Sequence, residues 1–144
     1  MIYHLTMLKL SFITNPTDDQ KAQILGIYHA QGWWPETINN PERISRIIHG
    51  SHCFVVAMDG DRVAGMGRAL SDRTGDAYIH DVTVREAYRH QGVGARIVRK
   101  IINRLKQDGI TWIGLIAEAD SHSFYEKEAF KRMSKAIPMF KWIS

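Results

Sequence analysis

The spacing of hydrophobic positions along this chain changes several times, and each change marks an expected element. "IYHLTMLKLSFIT" (residues 2–14) has the β-branched and aromatic composition of a strand. In "TNPTDDQKAQILGIYHA" the apolar residues Ile24, Leu25 and Tyr28 recur at helical spacing. Asn15 can cap this helix, Pro16 suits its first turn, and Asp18 and Asp19 favour its positive end. "QGWWPETINN" reads as a loop, with Gly32 near the helix end. "NPERISRIIHG" predicts a second, short helix, with Asn40 as cap and Ile44, Ile47 and Ile48 as its stripe.

Three strands are expected next. "HCFVVAMD" and "RVAGMGRAL" flank "DGD", a strong hairpin signal, and "SDRTGD" turns the chain into "AYIHDVTVRE". The period then lengthens. In "QGVGARIVRKIINRLKQDG" apolar residues fall at 94, 98, 101 and 105, with 97 and 102 alongside, the spacing of a helix. "ITWIGLIAEA" is a continuous apolar run, as expected of a strand buried on both faces. "SHSFYEKEAF" predicts a short helix, and "KRMSKAIPMFKWIS" one or two final strands. The unit from "AYIHDVTV" through a helix to "GLIAEA" is a crossover, which joins parallel neighbours. The expectation is one domain over residues 1–144, with a mixed sheet that is antiparallel first and parallel at its centre.

Composition changes little in this picture. With 44% hydrophobic and 24% charged residues the chain is ordinary for a globular domain. No apolar run approaches the roughly 18 residues of a membrane span, so no membrane partner is expected. The N-terminus lacks a basic start followed by a long apolar run, so no signal peptide is expected. The one cysteine, Cys53, lies in an apolar run. It reads as a buried strand thiol and suits a reducing, cytoplasmic setting. The net charge of +4 favours an anionic ligand. The densest basic group (Arg96, Arg99, Lys100, Arg104, Lys106) lies on one helix and reads as a solvated face. No nucleic acid and no metal are expected.

The chemistry concentrates in "YRHQGVGARIVRK" (88–100), where Gly92 and Gly94 sit between a strand end and a helix start. The first N–H groups of a helix have no partner within it, and the helix dipole adds positive character there. Glycines clear the approach, so the arrangement suits a phosphate. The dinucleotide fingerprint needs a third glycine, and the Walker pattern needs Gly-Lys-Ser/Thr; neither is present. The pattern R/Q-x-x-G-x-G/A fits: Arg89-His90-Gln91-Gly92-Val93-Gly94.

That hexapeptide resembles the pyrophosphate loop of the GCN5-related N-acetyltransferases (GNAT). "FYEKEAF" (124–130) resembles the family's second signature, commonly F-Y-E-K-x-G-F, and the element order matches from about residue 8 to 142. The resemblance implies a mixed α/β sheet of six to seven strands flanked by about four helices, with two splayed parallel strands holding acetyl-CoA. It implies backbone contacts to the pantetheine from Val82, Thr83 and Val84. It implies pyrophosphate contacts from Arg89, His90, Gln91, Gly92, Val93, Gly94 and Ala95. The activity implied is transfer of an acetyl group to an amine, with a small-molecule amine as the expected acceptor and a protein amine or a non-catalytic acyl-CoA-binding role as alternatives.

Such a reaction needs a group to remove the amine's proton and another to protonate the leaving thiolate. Tyr125 matches the family's tyrosine and is expected to be the acid. Asp81 and Glu118 are candidate bases, with His80 beside Asp81 on the same strand. In a regular strand His80 and Asp81 point to opposite faces. Glu118 stands where many members carry Asn, and Ala129 where they usually carry glycine. "GWWPET" falls at the family's acceptor loop, so Trp33, Trp34 and Glu36 are candidate contacts for a cationic amine. The family is often dimeric, which opens a homodimer here.

Overall fold

The structure, a computed structural model, describes residues 8–144. The first part of the strand expected over 2–14 lies outside the described residues. β1 covers Lys9–Phe12 and pairs antiparallel with β2 (Cys53–Asp59). β2 turns into β3 (Arg62–Leu70) through Gly60 and Asp61, and Asp59 pairs with Arg62. The first loop residue needs a positive φ, which Gly60 supplies at 58°. β4 (Asp76–Val84) pairs antiparallel with β3 and parallel with β5 (Trp112–Gly114). The sheet order is β1-β2-β3-β4-β5.

Among the described residues four α-helices flank this sheet: α1 (Asp18–Ala30), α2 (Glu42–Gly50), α3 (Val93–Gln107) and α4 (His122–Glu126). The expected cap of α1, Asn15, is displaced by Thr17. Its hydroxyl accepts the Gln20 N–H, and the Gln20 side chain accepts the Thr17 N–H, a closed capping box. Asn40 does serve α2, through Oδ1 accepting the Glu42 N–H at 3.0 Å.

Alternation along β2 sorts the core into two layers. Val55 and Ala57 face α3, where Val93, Ile97, Ile101 and Leu105 form one buried stripe. Phe54 and Val56 face the other way, onto Ile24, Tyr28, Ile44 and Ile48 of α1 and α2. Each buried aliphatic side chain is worth roughly 1.5–3 kcal/mol. Burial pushes the Cys53 thiol up to about 11, so it keeps its proton at neutral pH.

Two expectations fail at the C-terminal side. Among the described residues the sheet has five strands rather than six or seven. Residues 131–144 contain no strand, and Met133, Ile137, Met139, Phe140, Trp142 and Ile143 are all exposed. "ITWIGLIAEA" yields a strand of only three residues, with Trp112 and Ile116 half exposed rather than buried on both faces. The two failures share a cause. A further strand needs a sheet edge to pair with, and so short a β5 provides almost none.

Candidate active site

β4 and β5 pair only at Asp76–Trp112, Ala77–Ile113 and Tyr78–Gly114, and then diverge. The β4 edge from Ile79 to Val84 therefore faces open space instead of a ladder. That space is a cavity of about 1540 Å³, whose far wall includes Ile116, Glu118, Ala119 and Tyr125. Backbone polar groups released from a ladder need other partners.

One end of the cavity is the start of α3. Gly92 occupies the cap position with φ 81°, and no side chain caps the helix. A Cβ at Gly92 would meet nothing within 4 Å, so the approach to the first helical N–H groups is open. Gly94 serves a different end: a Cβ there would lie 3.3 Å from Phe124 Cζ, so its bareness lets α4 pack against α3. Arg89 and His90 also line this end, and Arg89 Nε donates to the Val84 carbonyl at 2.8 Å. Gln91 does not line the cavity, yet its Oε1 is buried without a donor.

The other end is built by a β-bulge. Met66 pairs with Thr83 and Arg68 with His80, so Asp81 and Val82 together oppose Gly67. Asp81 takes φ 58° to make this possible. The bulge breaks the alternation that a regular strand would give His80 and Asp81. Val82 and Val84 pack toward the α3 core, while Asp81 turns toward α1. Tyr28 donates its O–H to Asp81 Oδ2 at 2.6 Å, and Arg68 Nε donates to the same oxygen at 2.8 Å. His80 Nδ1 lies 3.2 Å from Asp81 Oδ1 and 3.2 Å from Arg68 Nη2, so its tautomer decides which bond it makes. The Asp81 side chain is only 9% exposed, whereas that of His80 is 49% exposed.

Aromatic rings wall the same end. Trp34 stacks on Tyr28 at 4.0 Å and carries the Arg43 guanidinium 4.6 Å from its centroid, so both its faces are taken. Trp33 meets Tyr28 edge-on at 5.8 Å. The Trp33 and Trp34 N–H groups both donate to the Tyr28 carbonyl, which folds the loop back over α1. Glu36 is exposed and lies outside the cavity lining. Trp142 reaches the cavity from the C-terminal segment.

Tyr125 stands across from Asp81's strand, its ring edge-on to Phe124 and Phe130. Burial, assisted by the Glu118 carboxylate, pushes its phenol above the ordinary tyrosine value. Burial, with Asp81 beside it, pushes the Tyr28 phenol up as well. The cavity thus brings together Tyr125, Asp81, Glu118, Val82, Thr83, Val84 and the loop glycines. Tyr28 and Arg68 belong to the same network and were missed as site residues. Arg68 had a visible signal, a charge inside an otherwise apolar strand. No group of three His, Cys, Asp or Glu suited to a metal ion occurs among the described residues.

Splayed parallel strands meeting a glycine-opened helix start define the acetyltransferase class. The chain belongs to the acetyltransferase (GNAT) family, whose model matches residues 15–130. It is 33% identical over 140 residues to an uncharacterised N-acetyltransferase of Porphyra purpurea, covering 94% of this chain and 78% of that one. It is 36% identical over 97 residues to a histone acetyltransferase of Glycine max, covering 67% of this chain and 40% of that protein's length. Glucosamine-6-phosphate N-acetyltransferase from Arabidopsis thaliana has a similar fold, with a TM-score of 0.76 and 18% identity over 94% of this chain and 99% of that one.

Proposed function

We propose that this protein transfers the acetyl group of acetyl-CoA to the primary amine of a small molecule, both bound in the one cleft. The observation that carries the reading is the cavity itself, with an open helix start at one end and a polar network at the other. The GNAT family generally uses acetyl-CoA, and the residues present fit it. The Gly92 approach is a cradle that a side chain would fill. The N–H groups at the α3 start would hold the pyrophosphate, and the bare β4 edge at Val82–Val84 the pantetheine.

When bound, acetyl-CoA supplies an acetyl group on an activated thioester. The chain's own residues supply the proton handling. An aliphatic amine is protonated at pH 7 and must lose a proton to attack. We assign that step to His80: with Nδ1–H donated to Asp81 Oδ1, its Nε2 is an acceptor on an accessible side chain. Asp81, already bonded by Tyr28 and Arg68, acts by positioning His80. Tyr125 keeps its proton well above neutral pH and can deliver it to the leaving thiolate. Glu118 is the second candidate base, exposed at the cavity wall. Trp33, Trp34 and Trp142 wall the acceptor end, which suits a compact amine.

The reading includes no nucleic acid partner. Several basic side chains of α3 are already engaged: Arg99 with Glu128, Lys100 and Arg104 over the Phe12 ring. A single protonated, buried cysteine supports a reducing compartment such as the cytoplasm. The test is thiol release from acetyl-CoA against a panel of amines, amino sugars and peptides. A small amine should support turnover, and His80→Gln should cut kcat/KM at least tenfold. Turnover with peptides alone would give the protein-amine reading instead, a reading that the similarity to a histone acetyltransferase supports.

A further inference from the structure

A second cavity of about 540 Å³ opens off the first, with Gln31, Thr83 and Arg89 lining both. Its remaining polar wall is Arg62, Arg85 and Glu86. Three guanidinium groups therefore face one carboxylate. Among the described residues none of the three arginines forms an ion pair. The fold nevertheless holds two of them in place. Arg85 Nε donates to the Val63 carbonyl at 2.7 Å and its Nη2 to the Gln23 carbonyl at 3.4 Å. Arg89 Nε donates to the Val84 carbonyl. Their other N–H groups remain available, and Arg62 stands at the start of β3 beside them.

Three like charges facing the single carboxylate of Glu86 repel one another, and the partial burial of Arg85 adds to the difficulty. Both effects pull the Arg85 guanidinium below its usual value, burial first and then Arg62. Such an arrangement is stable when an anion sits between the charges. Guanidinium forks match the oxygens of phosphate, and a doubly charged group suits an excess of two positive charges.

We propose that the Arg62–Arg85–Arg89 cleft, which shares Arg89 with the loop before α3, is a second phosphate site that binds a phosphomonoester dianion. The proposal rests on the acetyl-CoA reading only for the source of that phosphate. Coenzyme A carries a phosphomonoester on its ribose, and an acceptor such as a sugar phosphate carries another. Either one, lying in the main cavity, has access through the shared wall.

Binding measurements by calorimetry separate these cases. The ligands are CoA, 3′-dephospho-CoA, and inorganic phosphate added to protein saturated with 3′-dephospho-CoA, which keeps the α3 loop occupied. The variants are Arg62→Glu, at an exposed hairpin position, and Arg62→Ala, each checked by thermal unfolding. Wild type should bind inorganic phosphate under these conditions, and Arg62→Glu should weaken it at least tenfold. If Arg62→Glu also weakens CoA tenfold and leaves 3′-dephospho-CoA unchanged, the cofactor supplies the phosphate. If CoA is unchanged and phosphate binding to CoA-loaded protein still falls tenfold, the acceptor supplies it. Unchanged affinities throughout, or equal losses for CoA and 3′-dephospho-CoA, overturn the site. Gly92→Glu serves as the control for the other reading. It should abolish CoA binding yet leave inorganic phosphate binding in place; retained CoA binding would sink the cofactor assignment and leave this site standing.

Discussion

In the proposed reading the two ends of the cleft recognise their ligands by opposite means. At the α3 end the recognition groups would be backbone N–H groups, and the sequence contributes by leaving side chains out. At the Asp81 end they are side chains, held by Tyr28, Arg68 and the stacked Trp34. A site made of backbone fails when something is added to it. A site made of side chains fails when something is taken away. The difference predicts which kind of substitution each end tolerates.

The largest effect should come from adding bulk and charge where the backbone binds. Gly92→Glu should weaken CoA at least 100-fold, about 2.7 kcal/mol, by filling the open approach and repelling the pyrophosphate. Unchanged affinity in calorimetry would break the contrast between the ends. Next is removal of one oxygen: Tyr125→Phe should cut turnover by about 10²–10⁴ with CoA affinity held within twofold. Full activity across pH 6–9 would remove Tyr125 as the acid. The same residue sets a pH limb. A raised phenol value means that the acid form persists above the ordinary tyrosine range near 10, and activity falls only as pH climbs past it. Glu118→Gln removes a charge that raises this value, so the alkaline limb should move to lower pH. The smallest effect lies outside both ends. Ala129 sits at φ 68° in the turn after α4, a conformation that costs a non-glycine residue about 1–2 kcal/mol. Ala129→Gly gives back part of that to chain entropy, so a rise of roughly 3 °C in Tm with unchanged kinetics is expected.

Local signals carried most of the fold into the sequence. The "DGD" hairpin and the shift from period two to period three or four each reported a structure settled within a few residues. The glycine loop was legible for the same reason, since a strand end, a turn and a helix start are consecutive. The acceptor end was harder. Tyr28 and Asp81 are 53 residues apart, and the bulge that joins them arises from pairing with β3, which no local pattern encodes. Tyr28 read as one more apolar position on a helix because its ring is indeed buried; only its hydroxyl is in the site. Arg62, Arg85 and Arg89 come together from a hairpin and a strand end, so composition registered their charge but not their meeting. The C-terminal strands failed differently. Their hydrophobic pattern describes what a strand would bury and says nothing about whether an edge exists to receive it.

The bulge in β4 also has a meaning for insertions and deletions. Asp81 and Val82 share one position opposite Gly67, so the ladder can do without Asp81. A chain lacking it could keep His80 opposite Arg68 and Thr83 opposite Met66, with Val82 and Val84 still on the α3 side. The sheet would close into a regular pair and lose its carboxylate. The carboxylate end of this cleft is thus an addition of a single residue to a strand that is complete without it.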